Sequence, residues 1–273
     1  MCEGNIHWYS CETGALYKMV RKLVKTNACL FAFVTVSVFA RVELAAQDSP
    51  SAKSKKLLPV AKPEPPAVRK LPVKPAYGRP ALVEIKDLAD FEGLPADRKK
   101  LIEVAISTAR DSPWLPYVYG MGDPAQGGFD CSGAMYFVMT RAGLTPPRSS
   151  AAQYAWLLGK GRLRVVPGDA TSAMHPSLKA LLPGDLLFWS TGEVSAGVKA
   201  LSITHVAMYL GREKKDGLQI MINATDGRSY RGTKANGYGV YDFRVPVAEA
   251  RSRLVGYGTP PGVAEIPAEE VME

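Results

Sequence analysis

The chain reads as an α+β protein in which N-terminal helices pack on a mainly antiparallel β-sheet. Two observations predict this, and a third locates the folded part. Between residues 95 and 158 apolar residues recur at helical spacing, whereas beyond Pro183-Gly184-Asp185 they fall into short β-rich runs. Helices first and strands second is the order of an α+β fold, not of an alternating one. The third observation is charge: the 273-residue chain carries a net charge of +8, yet residues 81–273 hold 21 basic and 21 acidic residues. The excess therefore lies upstream, and the part long enough to bury a core is neutral. A basic nucleic-acid-binding domain loses its support, since phosphate contacts would have to come from the upstream segment alone.

The elements follow in order. Pro95 and Asp97 start a helix whose stripe is Leu101, Ala105 and Thr108, with Ile102 and Ala109 beside it; it ends before Pro113. A second helix follows Asp130, with Ala134, Met135, Phe137, Val138 and Ala142 apolar and Gly143 as its C-terminal stop. A third runs from Ser149 to about Leu158, after Pro146-Pro147. Strands are expected over residues 186–189, 203–210, 218–225, 240–245 and 254–257.

Upstream of this domain, residues 19–27 form a basic stretch and residues 28–40 an apolar run, the size of a signal-peptide core and short for a membrane span. Residues 1–46 are read as a leader with Met19 as the true start, which implies export to the periplasm, the envelope or the medium; an uncleaved anchor is the alternative. Residues 47–80 are a Pro/Lys-rich linker that cannot bury enough apolar surface to fold. Its charge suits weak contact with anionic wall polymers or a membrane surface. The domain is assigned to 81–262 and a tail to 263–273.

The four cysteines and three histidines are unevenly placed. Cys2, Cys11, Cys29 and His7 lie in the first thirty residues, leaving Cys131, His175 and His205 downstream. That set has neither a disulfide pair nor the paired spacing of a zinc site, so neither staple is expected.

Cys131 stands at the first turn of the second helix, behind Asp130 as N-cap. The free N–H groups and dipole of a helix start favour a thiolate, the nucleophilic form, so a lowered thiol pKa is expected. Position alone does not separate a nucleophile from a buried core cysteine; a companion base does. His175 sits in a polar, proline-bounded loop and reads as a turn residue. His205 stands at the start of a strand, where alternation places Ile203, His205, Ala207 and Tyr209 on one face. The next run places Gln219, Met221, Asn223 and Thr225 together. If the hairpin is centred on Lys214, paired residue numbers sum to 428, and His205 then faces Asn223 directly. An amide there can accept from one imidazole nitrogen and turn the other toward a thiol.

Leu115-Pro116-Tyr117-Val118-Tyr119-Gly120, Gly128-Phe129-Asp130-Cys131-Ser132-Gly133, Pro147-Arg148-Ser149-Ser150 with Gln153, Leu182-Pro183-Gly184-Asp185-Leu186 and His205-Val206-Ala207-Met208-Tyr209-Leu210-Gly211 together resemble the NlpC/P60 family of cell-wall cysteine peptidases. The resemblance covers residues 115 to about 225. It implies a papain-like fold and cleavage of peptidoglycan stem peptides, commonly between γ-D-glutamate and a diamino acid. It implies Cys131 as nucleophile, His205 as base and then acid, and Asn223 as the third polar residue. By the same likeness Tyr117, Asp130 and Ser132 are substrate-binding candidates, although capping explains Asp130 and Ser132 and packing explains Tyr117 equally well. No metal or organic cofactor is called for. The departures are Gly120-Met121 where many members carry two glycines, Ala134-Met135 in the helix after Cys131, and inserts at 159–177 and 190–202 that flank the expected site. An amidase or acyltransferase acting on another amide, and an inactive wall-binding module, are the competing readings.

Overall fold

A computed structural model describes residues 77–191 and 202–266 of the chain. The expected leader, most of the linker, most of the 190–202 insert and the tail beyond 266 lie outside those residues.

Among the described residues, three α-helices cover one face of a six-stranded antiparallel sheet. Helix α1 (Ala96–Asp111) follows Pro95 and turns Leu101, Ile102 and Ala105 fully inward. Helix α2 (Cys131–Ala142) begins at Asp130, whose side chain accepts from Gly133 N–H, and stops at Gly143. Helix α3 (Ser150–Gly159) is capped by Ser149, which accepts from Ala152 N–H. A two-stranded hairpin, β1 (Gly122–Asp123) and β2 (Gly128–Phe129), leads directly into Asp130.

The sheet holds β3 (Leu163–Val165), β4 (Leu186–Thr191), β5 (Ile203–Arg212), β6 (Gln219–Tyr230), β7 (Thr233–Asp242) and β8 (Ser252–Gly258), in the order β3-β8-β4-β5-β6-β7. Its helix-facing side buries Leu186, Phe188, Val206, Met208, Ile222 and Val240. The opposite side buries Leu187, Trp189, Ala207, Met221, Tyr241 and Tyr257 beneath Val166, Ala170 and Leu178. Both faces are thus covered, which is why β4 reads as an unbroken apolar run instead of alternating.

Two strands depart from expectation. Of the strand foreseen at 240–245 only residues 240–242 are strand, and they are the end of β7, which starts at Thr233. Its first half is Thr-Lys-Ala-Asn-Gly-Tyr-Gly, a composition that reads as turn. Gly237 is required there, because it lies at φ 117° and a β-carbon would sit 2.5 Å from the carbonyl oxygen of Leu115. Strand β3 was unforeseen, and it shows what the 159–177 insert does: it pairs with β8 and then lays Val166 and Ala170 over the back of the sheet.

The packed chain also reaches further than 81–262. Gly78 pairs with Ala235, and at the other end Val263 is buried while Arg98 Nε donates to Ala264 O at 2.9 Å. Behind this contact, Arg98 is wholly buried and donates to Asp185 Oδ1 (3.0 Å), Pro183 O (2.8 Å) and Thr259 Oγ1 (2.6 Å). The Pro-Gly-Asp turn before β4 is therefore clamped to α1 and to the end of β8.

Candidate functional site

Cys131 lies where α2 meets the sheet. It is buried, 6% exposed, and the backbone N–H of Val206 on β5 favours its thiolate form. Burial pushes the thiol pKa up; the N–H groups of Val206, Ser132 and Cys131 work against that, and the Asp130 carboxylate adds to it. The expectation of a lowered pKa is corrected: the helix start is present, but loss of water outweighs it.

Asp130 is fully engaged. Its Oδ1 accepts from Gly133 N–H (2.6 Å), Arg148 Nη1 (3.0 Å) and Ser132 Oγ (3.1 Å), and its Oδ2 from Gly120 N–H and Arg148 Nη2, both at 2.9 Å. Burial works against this carboxylate, but the bonds from Arg148, Gly133 and Ser132 together hold its pKa below the usual range. Arg148 also reaches the carbonyl oxygens of Gly120 and Met121, so it ties the β1 loop to the first turn of α2. That contact explains Gly133, where any β-carbon would collide with Met121 O. Gln153 completes the clamp, donating to Ser132 O and Pro147 O at 3.1 and 3.0 Å.

His205 and Asn223 meet, by a different register from the one foreseen. Met208 pairs with Ile222 and Tyr209 with Met221, so paired numbers sum to 430; beyond an irregularity between Tyr209 and Gly211 they sum to 431. The turn is centred later because β5 continues to Arg212. A shift of two preserves the face, and the two side chains meet diagonally: Asn223 Nδ2 lies 2.6 Å from His205 Nε2. A second irregularity, at Thr204 opposite Trp189 and Ser190, separates Ile203 from its expected face and places it in the helix-side core.

The imidazole is half-buried beside Trp189, ring centroids 5.5 Å apart. Burial first and then the Arg228 guanidinium bring its pKa down to about 3, so the ring is neutral at pH 7. Asn223 Oδ1 is buried with no partner among the described residues. A half-turn of the amide presents that oxygen to a protonated Nε2 and leaves Nδ1 bare, the tautomer a general base requires. No hydrogen bond joins Cys131 to His205 among the described residues. They stand on adjoining elements, Cys131 at the start of α2 and His205 near the start of β5, against which α2 packs.

A cavity of about 570 Å³ opens over Cys131, lined by Tyr117, Tyr119, Ser132, Arg148, Ser150 and Thr204 among others. Tyr117 is half-buried, and burial together with the charges of Cys131 and Asp130 raises its pKa to about 12, so the phenol stays a hydrogen-bond donor. The 159–177 insert contributes nothing to this cleft. Part of it lines a larger cavity of about 700 Å³ at the far end of β5, which contains neither cysteine nor histidine. His175 is a turn residue, its Nδ1 2.8 Å from Ser177 Oγ. Among the described residues no group of His, Cys, Asp and Glu is placed to hold a metal ion.

The model of the NlpC/P60 family matches residues 115–243, a span that contains this whole cluster. This region is an NlpC/P60 domain. Its curated relatives include "Probable endopeptidase p60" of Listeria monocytogenes, 32% identical over 145 residues, which are 53% of this chain and 21% of that protein. The p60 protein of Listeria grayi is 29% identical over 171 residues, 62% of this chain and 23% of that protein. The chain thus spans about a fifth of these relatives' length. Among solved structures, the peptidoglycan hydrolase RipB of Mycobacterium tuberculosis aligns at a TM-score of 0.34 and 23% identity, covering 64% of this chain and 71% of that one.

Two residues beside the candidate site are not singled out by the sequence pattern. Trp189 was placed in a strand but given no role, and Arg228 fell beyond the expected end of its strand. Its guanidinium lies 4.6 Å from the Trp189 ring centroid. The signal for Arg228 was Asp226-Gly227-Arg228, where a glycine interrupts a strand pattern and marks a bulge.

Proposed function

We propose that this NlpC/P60 domain is a cysteine peptidase that hydrolyses peptidoglycan stem peptides at the bond between γ-D-glutamate and a diamino acid. The observation that carries the reading is the 2.6 Å pair of His205 on β5 and Asn223 on β6, with Cys131 at the start of the helix packed on β5. Family membership and the endopeptidase names of the Listeria proteins support it.

The resting pair is thiol and neutral imidazole. Proton transfer from Cys131 to His205 therefore accompanies attack of sulfur on the peptide carbonyl, and the hydrogen bond between them tightens only with substrate bound. Backbone N–H groups at the start of α2 stabilise the oxyanion. The protonated His205, oriented by Asn223, then gives its proton to the departing amine. Water, deprotonated by the same ring, hydrolyses the thioester and regenerates the thiol. Tyr117 donates its phenol O–H to the substrate on the opposite wall. Asp130 and Ser132 act by holding the first turn of α2 and Arg148, since their oxygens are already engaged. The basic leader and linker fit an exported protein standing near an anionic wall.

The test is digestion of defined muropeptides with mass analysis of the products. The wild type should release fragments cut at the diamino acid and Cys131→Ala should release none. Undiminished release by that variant overturns the assignment, and cleavage at another amide favours the amidase reading.

A further inference from the structure

We propose that Arg228 binds a carboxylate of the residue that supplies the leaving amine, and so selects a diamino acid carrying a free carboxylate. The inference rests on the peptidase reading above and adds a specificity residue to it.

Strand β6 is irregular between Asp226 and Ser229, and Gly227 there lies at φ 85°. Bulges beside a site re-aim the side chain that follows, and here it is Arg228. The guanidinium lies over the Trp189 ring, 4.6 Å from its centroid, and the centroid of the same side chain lies 5.5 Å from that of the His205 imidazole. The Arg228 charge acts on His205 and on Cys131 alike. One cation therefore lies within electrostatic reach of both reacting groups.

Its surroundings do not account for it as a structural ion pair. It has no carboxylate partner among the described residues, and burial lowers its pKa to about 10, which records a cost of desolvation. It is nonetheless only partly buried, so a ligand can reach it. A planar fork held over an indole by a cation–π contact is preorganised for a carboxylate.

The side of the cleft follows from the chemistry. The imidazole protonates the departing amine, so the residue bearing that amine lies on the His205 side of the sulfur. Arg228 shares Trp189 with His205 and is absent from the Tyr117–Ser150 side of the cleft. The anion it meets therefore belongs to the amine-bearing residue. A diamino acid with a free side-chain carboxylate satisfies this; its carboxamide, or a diamino acid without that group, does not.

The probes are L-Ala-γ-D-Glu-meso-diaminopimelic acid and the same tripeptide with its diaminopimelate carboxyls converted to carboxamides. Affinity is measured by calorimetry on the full chain carrying Cys131→Ala, with and without Arg228→Gln. The parent should prefer the carboxylate tripeptide, and Arg228→Gln should weaken that tripeptide by about ten- to a hundredfold while leaving the carboxamide unchanged. Arg228→Lys, which keeps the charge and loses the fork, should retain a reduced preference. Equal affinity of the parent for both tripeptides overturns the proposal. So does an equal loss for both in Arg228→Gln, which would make Arg228 a prop for Trp189. Turnover by the wild type separates the two readings. Carboxylate-selective binding without hydrolysis sinks the peptidase and keeps the Arg228 assignment, whereas hydrolysis of both tripeptides alike, unchanged by Arg228→Gln, does the reverse.

Discussion

The Arg98→Met substitution removes one partner of a buried ion pair whose side chains are 1% and 3% exposed. It takes away the 3.0 Å bond to Asp185 together with those to Pro183 O, Thr259 Oγ1 and Ala264 O. Asp185 keeps Leu182 N–H and Thr259 Oγ1 at 3.1 and 2.8 Å but loses its counter-charge. A buried charge left unpaired costs about 3–5 kcal/mol, and methionine recovers part of the packing volume, so the lower end is expected. The pH dependence gives a second handle. Burial outweighs Arg98 and already holds the Asp185 carboxyl above its ordinary pKa. A carboxyl raised in the folded state contributes stability at low pH and loses it as pH rises through the folded pKa. Without Arg98 it is raised further, so the deficit should be larger at about pH 8 than at about pH 5. Urea unfolding of the wild type, Arg98→Met, Asp185→Asn and the double variant measures both effects, and the double variant should lose less than the sum of the singles. A deficit below about 1 kcal/mol, or one independent of pH, refutes this account of the clamp.

Asn223→Ala removes the group that orients His205 and should lower kcat about ten- to a hundredfold with little change in KM; a loss confined to KM contradicts an orienting role. His205 has a folded pKa of about 3, far below its unfolded value, so the unfolded chain takes up a proton that the folded chain refuses as pH falls from about 6.5 toward 3. The urea midpoint of the wild type should fall more steeply over that window than that of His205→Asn. Gly237→Ala combines positive φ with a β-carbon 2.5 Å from Leu115 O, and should cost at least about 2 kcal/mol in thermal or urea melts.

The helices were legible because their ends carry their own chemistry: Asp130 and Ser149 as caps, Gly143 as a stop, and one apolar stripe in α1. Strands announced by apolar runs were legible too. The first half of β7 was not, since its glycines serve tight contacts with residues 80 and 115, a reason local pattern cannot express. The meeting of His205 with Asn223 was found through parity, which survives a slip of two residues, while the direct pairing was lost to the extra length of β5 and the irregularity near Gly211. The direction of the Cys131 shift was missed because a helix start is visible in sequence and the depth of burial is not. Trp189 and Arg228 reach the site from strands about forty residues apart in the chain, and only the β6 bulge brings the guanidinium round.

The buried, protonated sulfur of Cys131 bears on durability as well as on catalysis. Peroxides and alkylating agents attack thiolates far faster than thiols. A nucleophile that gives up its proton only as substrate arrives is masked between turnovers. A nucleophile of this kind trades some resting reactivity for a longer working life, most of all where no thiol pool is at hand to reduce a sulfenic acid.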